Sequence, residues 1–554
     1  MFYINLKEKY FESNFKCREI FSGKYIIKGC KASFIKINSI LKESESLEKF
    51  LDRVQEIETA FSFIYVSSDF LNIVLVTDRF GSESTFYNDH EITDNIFKIK
   101  KKKISKLNVV QFLYFQRLYS DRTIYEDVKF AREARIFKFG TDIDIQRYWA
   151  PSFTKSKLSE DILSKKLADL ITKSSSQYLS GYQSPSILLS GGLDSRVALA
   201  ASHVKNLKAI TLGSHKNNEF NVAKRLSGIK KIPIEFVKRD DSSYMRELTR
   251  SVDLGNGMQN IIHSHFYSVQ NSNSHTDIFI HGHGFDYFFQ GMYLPSDRVY
   301  FLGRSTLHNN LKEDYGDILD FYIKKIKFKL KSTGLNGYLE DCLVEEVMLS
   351  IKLVLKELYD EAKKLGATDD YDIWEFINCH SLVRHYTNLN LKSIEQAAPQ
   401  VCISWHKDIY DFFYSLPHEL KMNARILKKS LMYLNSDIAK TKNANINLPA
   451  HWDHRVQSYT HFFTLFLNKI GLKRFGPPSA KERSWPHGGD LLRTDEWKVK
   501  IDNIIENENL INLNLFDKNK LQKIKKEHMD GVNNYSDLLF SLVTLVEVLN
   551  RGKV

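Results

Sequence analysis

The 554-residue sequence contains no apolar run approaching the roughly 20 residues of a membrane-spanning helix. It also opens without the apolar core of a secretion signal, because Met1-Phe2-Tyr3 leads into Lys7, Glu8 and Lys9. These absences point to a cytoplasmic chain. Cysteine is scarce: Cys17, Cys30, Cys342, Cys379 and Cys402 are widely scattered, with no C-x-x-C pair and no metal-like cluster. An odd, dispersed set suits reduced thiols and argues against a disulfide framework. Internal repeats and low-complexity tracts are absent. So are the phosphate-binding patterns G-x-x-x-x-G-K-[ST] and G-x-G-x-x-G.

What is present is the composition of a folded protein. Hydrophobic residues make up 43% and aromatic residues 13%, enough for several cores and without a sign of disorder. Length alone suggests about three or four domains. Lys and Arg number 79 against 67 Asp and Glu, and the resulting +12 favours acidic partners such as nucleotides or uronates. Spread over so long a chain, that charge does not single out nucleic acid. The densest basic run, Lys98-Ile99-Lys100-Lys101-Lys102-Lys103, reads as a solvated strand or loop face.

The informative stretch is Ser186 to Leu199, SILLSGGLDSRVAL. Ile187-Leu188-Leu189 reads as a short buried strand and Arg196 to Ala201 as the first turns of a helix. A strand entering a helix through a Gly/Ser turn aims unpaired N–H groups and the positive helix end at one point. Two glycines keep Cβ atoms away, and the Ser190 and Ser195 hydroxyls add donors, which makes that point an anion site. A plain Gly-rich turn is the alternative. The pattern S-G-G-x-D-S resembles the pyrophosphate-binding loop of ATP pyrophosphatases, which split ATP between its α- and β-phosphates. That resemblance assigns Leu189, Ser190, Gly191, Gly192, Leu193, Asp194 and Ser195 to ATP.

Residues 1 to about 150 read as strand-rich, with Tyr25-Ile26-Ile27 and a hairpin formed by Phe61–Val66 and Leu71–Thr77. Phe61-Ser62-Phe63, Asp78-Arg79-Phe80-Gly81 and Phe86-Tyr87 resemble the F-A-F, D-R-F-G and Y-Y core of class II glutamine amidotransferase domains. Asparagine synthetases carry such a domain ahead of their S-G-G-x-D-S domain. The resemblance implies an Ntn-hydrolase-like αββα sandwich at residues 1–152. It also implies a glutaminase cysteine directly after the initiating Met. Phe2 stands there, so the domain is expected to be a scaffold that releases no ammonia from glutamine.

The remainder, 153–554, reads as a second, α/β domain with a helical C-terminal part. Ser156 to Tyr178 is helically patterned, Lys208–Gly213 and Pro233–Val237 read as strands around a helix Asn218–Leu226, and Asp277–Ile280 is a further strand. Alternating strand and helix predicts a parallel sheet with its ligand at the carboxyl ends of the strands. In relatives the ATP base lies there, against positions that correspond to Leu189, Leu212, Gly213 and Val237. His281-Gly282-His283-Gly284-Phe285-Asp286 resembles the S-G-E-G-S-D segment of asparagine synthetases, which adds Gly282 to the nucleotide site. From about residue 300 helices are expected to dominate, over Tyr315–Leu330, Leu339–Leu365 and Asp370–Tyr386. Ile394-Glu395-Gln396-Ala397-Ala398-Pro399 resembles the family's V-E-H-R-A-P. Asp437–Asn443 falls where relatives have I-L-W-R-Q-K, whose active-site lysine is matched by Lys442 or its neighbour Lys440.

The resemblance implies amide formation by adenylation, with ATP and Mg2+ as cofactors. A substrate carboxylate attacks the α-phosphorus of ATP and releases pyrophosphate, and an amine then displaces AMP. Asp194 and Asp286, acids from two loops, are the candidates to hold Mg2+, with helix capping the alternative for each. His283 stands where asparagine synthetases have Glu and β-lactam synthetases have Tyr. An imidazole with a reference pKa of about 6.5 can take a proton from the incoming amine. Glu395 is expected to orient it and Lys442 to stabilise charge on the adenylate. The expected protein is an ATP-dependent carbon–nitrogen ligase acting on a small-molecule or peptide carboxylate and amine, without glutamine hydrolysis. Amidation of a sugar acid in surface-polysaccharide synthesis is one form, and ring closure as in lasso-peptide cyclases or β-lactam synthetases is another. A non-catalytic nucleotide-binding scaffold is the alternative of a different class. Nucleic-acid modification is disfavoured by the lack of paired cysteines, and a homodimer is compatible with the reading.

Overall fold

A computed structural model describes residues 1–301, 303–326, 334–381, 387–469 and 485–551. The parts of the predicted helices at 327–330 and 382–386 lie outside the described residues. Among those described, no helix is long and apolar enough to cross a membrane.

Eleven strands lie within the first 150 residues: β1 (Phe2–Asn5), β2 (Tyr10–Ser13), β3 (Arg18–Ile20), β4 (Gly23–Gly29), β5 (Phe61–Ser67), β6 (Ile73–Thr77), β7 (Phe86–Tyr87), β8 (Glu91–Thr93), β9 (Lys129–Phe130), β10 (Arg135–Phe139) and β11 (Ile143–Arg147). They form two antiparallel sheets, ordered β2-β1-β8-β7-β9 and β11-β10-β6-β5-β4-β3. The hairpin β5–β6 pairs Ser62 with Thr77 and Val66 with Ile73. Its side chains alternate with a period of two. Ile64, Val66, Ile73 and Leu75 meet Phe2, Ile4 and Ile92 of the other sheet. Phe63, Tyr65, Val74 and Val76 face the opposite way, onto helices α1 (Lys31–Glu43) and α2 (Leu47–Leu51). Phe2 is fully buried between the sheets, and its N–H donates to Asp94 Oδ1 at 2.9 Å.

After helix α3 (Lys106–Phe115), the second part opens with α4 (Glu160–Leu179), whose N-terminus is capped by the Ser159 hydroxyl. A parallel sheet follows from β12 (Pro185–Leu188), β13 (Lys208–Gly213), β14 (Ile234–Lys238), β15 (Ile278–His281) and the short strand Gln400–Cys402, in the order β14-β13-β12-β15 and then Gln400–Cys402. From β12 the chain steps outward to β13 and β14 and returns to β15 on the other side of β12. The sheet therefore has its topological switch point between β12 and β15, where ligands of open α/β sheets bind. Helix α5 (Leu193–Ala201) follows β12, and α6 (Asn218–Lys230) follows β13. The predicted end of α6 at Leu226 falls one turn short, since the helix runs on until Lys231 turns left-handed at φ +57°.

Two other expectations are corrected. Ser296–Phe301 and Arg304–Leu311 form a hairpin around Gly303 in a region read as helical, and few of its side chains are buried, so no alternation marks it in the sequence. The helix predicted from Leu339 starts at Val344, because Leu339 is bridged to Phe516 and Asp341–Leu343 makes a 3-10 turn. The last helix, Ser536–Arg551, is buried along most of its length. It belongs to one continuous core with helix Lys106–Phe115 and the parallel sheet, so apolar packing joins the two parts of the chain.

Candidate active site

β12 ends at Leu188, and the chain then turns through Leu189, Ser190 and Gly191 to Gly192, the N-cap of α5. Gly192 has no side chain with which to cap this helix, so among the described residues the N–H groups that follow it in the first turn stay available to an anion. The hydroxyls preshape the turn. Ser195 Oγ accepts from Ser190 N–H at 3.1 Å, Ser190 Oγ accepts from Gly192 N–H at 3.1 Å, and the two hydroxyls lie 2.9 Å apart.

A cavity of about 430 Å³ opens over this turn. It brings together eight of the predicted residues: Leu189, Ser190, Asp194 and Ser195 from the turn, Leu212 from β13, and Gly282, His283 and Asp286 after β15. Its far wall carries His263, His265, Phe266, Asn390 and Trp485, none of them signalled by a motif. The Trp485 and His265 rings stack at 4.7 Å, and Tyr244 Oη lies 2.6 Å from His265 Nδ1.

Gly191, Gly192, Leu193, Gly213 and Val237 are not on that lining. Gly191 instead abuts Ala444, on which its Cβ would impinge, and Leu193 is buried in the main core. Val237 and Gly213 lie at the ends of β14 and β13, where Val237 pairs with Leu212 and Gly213 with Lys238.

Asp194 and Asp286 are both half-buried on the cavity wall. Burial, and then the charge of Asp286, raise the Asp194 carboxyl well above the usual range, and burial pushes Asp286 up to about 6. Asp194 Oδ1 accepts from Gln290 Nε2 at 2.5 Å, whereas Asp286 Oδ1 is buried with no hydrogen-bond partner among the described residues. Two crowded oxygen donors with an unsatisfied oxygen fit a hard divalent cation such as Mg2+. Gln290 was missed in the sequence. Its spacing of four residues from Asp286, on one helical face, is the signal that points to it.

His283 sits against Tyr287 at 5.3 Å and Trp405 at 6.0 Å between ring centroids, and its Nε2 is buried without a partner among the described residues. Burial, followed by the neighbouring His281, lowers its pKa to about 3 and keeps the ring neutral. His281, also missed, accepts from the His283 N–H through Nδ1 at 3.4 Å and meets Gln400 Oε1 through Nε2 at 2.7 Å, which fixes the proton on Nε2.

The expected direct partnership of Glu395 with His283 is not formed. Glu395 lines a neighbouring cavity of about 660 Å³ and pairs with Lys392 at 3.2 Å. It reaches the site through a relay, accepting from Gln400 Nε2 at 2.8 Å, with Gln400 in turn bonded to His281. Its one-turn spacing from Lys392 explains the capture, because oppositely charged side chains at i and i+3 share a helical face. Lys442 donates to Asn218 Oδ1 at 3.1 Å beside the start of α6, while Lys440 is exposed.

The model of the asparagine synthase family matches residues 166–327, a span that starts within α4, runs past β15 and includes the turn at Ser190–Ser195. This match supports a ligase of the asparagine synthetase type, a family that forms amide bonds with ATP and typically uses Mg2+. No curated protein matches the chain.

Proposed function

We propose that the cavity at the carboxyl ends of β12, β13 and β15 binds Mg-ATP and makes an amide through an acyl-adenylate. The observation that carries this reading is a helix N-terminus led by a glycine beside two half-buried acids, one with a buried, unsatisfied oxygen. The turn Ser190–Ser195 holds the pyrophosphate portion through N–H groups and hydroxyls. Leu188, Ile210 and Leu212 give the base an apolar wall. Asp194 and Asp286 are the residues that would hold Mg2+, which when bound offsets phosphate charge. Neutral His283 offers an acceptor to the incoming amine, and Lys442 supplies positive charge near the adenylate.

The carboxylate and amine are small molecules or peptides. The stacked Trp485 and His265 rings suit a ring-bearing acid such as a uronate. Residues 1–152 serve as a scaffold domain without glutaminase chemistry, and the burial of Phe2 between two sheets supports that assignment. Residues 153–554 form the synthetase domain.

The test is AMP and pyrophosphate formation across a panel of carboxylates and amines with Mg-ATP. Product dependent on both substrates, and lost in Asp194→Ala, is expected. Nucleotide binding without AMP under any pairing would leave a binding scaffold in place of an enzyme.

A further inference from the structure

Arg196 follows directly after the S-G-G-L-D-S turn and has no exposed surface. Among the described residues no carboxylate lies within ion-pairing distance of it. Its guanidinium has five N–H donors, and all five meet backbone carbonyls. Nε donates to Gly192 O at 2.9 Å and Nη2 to Gly191 O at 2.9 Å. Nη2 also donates to Lys442 O at 2.9 Å, and Nη1 donates to Thr441 O at 2.8 Å and Ile438 O at 3.3 Å. One side chain thus grips two segments, the anion turn and the stretch that carries Lys442.

Peptide geometry gives that grip a direction. Across a trans peptide the C=O of one residue and the N–H of the next point opposite ways. Drawing the Gly191 and Gly192 carbonyls toward Arg196 therefore turns the N–H groups of Gly192 and Leu193 away from it. The Gly192 N–H indeed points to Ser190 Oγ, on the cavity wall. The same residues are tied by further contacts. Ala444 N–H donates to Gly191 O at 3.0 Å, and Asn218 Nδ2 donates to Ala444 O at 2.8 Å while its Oδ1 accepts from Lys442. A lysine at 196 has three donors on one nitrogen and cannot span these five carbonyls.

We propose that Arg196 is a positioning residue that makes the anion turn and the Lys442 segment a single unit. It aims the turn's amides at the bound phosphates and lays Lys442 beside them. A buried cation with no counter-charge among the described residues also adds positive potential beneath an anion site whose described lining holds no Lys or Arg. The inference rests on the reading that this turn binds polyphosphate.

Titration of the full-length protein with Mg-pyrophosphate tests both separately. Wild-type binding establishes the polyphosphate reading, and its absence removes that reading and the inference with it. Given binding, Arg196→Met is expected to weaken it by roughly ten- to a hundredfold, the scale of lost charge-assisted hydrogen bonds. Lys442→Ala should then cost less in the Arg196→Met background than in the wild type, because a segment already released has less to lose. Hydrogen exchange supplies a second readout. Mg-pyrophosphate should slow exchange at both 190–193 and 438–446 in the wild type, but chiefly at 190–193 in Arg196→Lys, the variant that keeps the test open should Met prevent folding. Ile426→Val, in the core of helix Arg425–Leu434, controls for stability and should lower the melting temperature without weakening binding. Arg196→Met binding like wild type, or additive losses with unchanged joint protection, would overturn the proposal.

Discussion

Gly282 and Asp194 touch backbone to backbone. A Cβ on Gly282 would sit 2.7 Å from Ser195 N and closer still to the Asp194 carbonyl, positions no real Cβ occupies. The contact fastens the loop after β15 to the first turn of α5, and so sets the separation of Asp194 from Asp286. Gly282→Ala must force the two apart at a cost of about 1–3 kcal/mol, typical of overpacking. Affinity for Mg-ATP is predicted to fall by about fivefold to a hundredfold on the same scale, since 1.4 kcal/mol is a factor of ten. Calorimetry checks it, and unchanged affinity would mean that this contact does not define the site.

Asp194 and Asp286 are held in an environment that disfavours their charges, with Asp286 pushed up to about 6. A cation that binds between them must displace protons retained near neutral pH. Mg-ATP binding at pH 6 should therefore release protons, seen as a binding enthalpy that changes with the ionisation enthalpy of the buffer. Asp286→Asn removes one of the titrating groups and should diminish that release and weaken the Mg2+ dependence of binding. Proton release equal in wild type and variant would place the cation elsewhere.

The turn at Ser190–Ser195 was legible because everything it needs is local: a strand, two glycines, two hydroxyls and a helix start within fourteen residues. The strand Lys208–Gly213 was legible to the residue for the same reason, since a run bounded by polar residues admits one reading. Arg196 was not, because three of its five acceptors lie 242 to 246 residues away and are backbone atoms that leave no sequence signature. Glu395 was placed by resemblance, while the local clue, Lys392 three residues before it, pointed to an ion pair. The far wall of the cavity left no motif because the stretch with His263 and His265, the helix with Asn390 and the segment with Trp485 are distant in sequence and joined only by the fold.

Burial holds His283 neutral with a pKa near 3, far below the usual imidazole value. Protonation would have to charge an enclosed ring beside His281, so no titration of His283 is expected between pH 5 and 9. The rate profile should accordingly lack an inflection near 6.5 that His283→Gln removes. Replacing the ring altogether, as His283→Ala, is predicted to lower kcat about a hundredfold, the lower end for a group that handles a proton in the transition state. An inflection in that range abolished by the substitution would show the ring to be open to solvent in the working enzyme.

His418 titrates in the opposite sense. Its Nε2 lies 3.3 Å from Asp372 and 3.5 Å from Asp369, and its Nδ1 lies 3.4 Å from Glu375. These acids, Glu375 foremost, overcome burial and raise its pKa to about 10. Lys155 at 2.6 Å from Asp372 and Lys421 at 2.6 Å from Glu375 complete the cluster. A base whose folded pKa exceeds its unfolded value near 6.5 stabilises the fold fully below that unfolded value. The contribution is lost as pH rises toward 10, because the folded chain must give up a proton it holds more tightly than the unfolded one. Thermal melts from pH 6 to 10 should show wild-type stability declining faster than that of His418→Gln, with the two curves converging at the alkaline end. Parallel curves across this window would mean that the imidazolium does not bind the three carboxylates together.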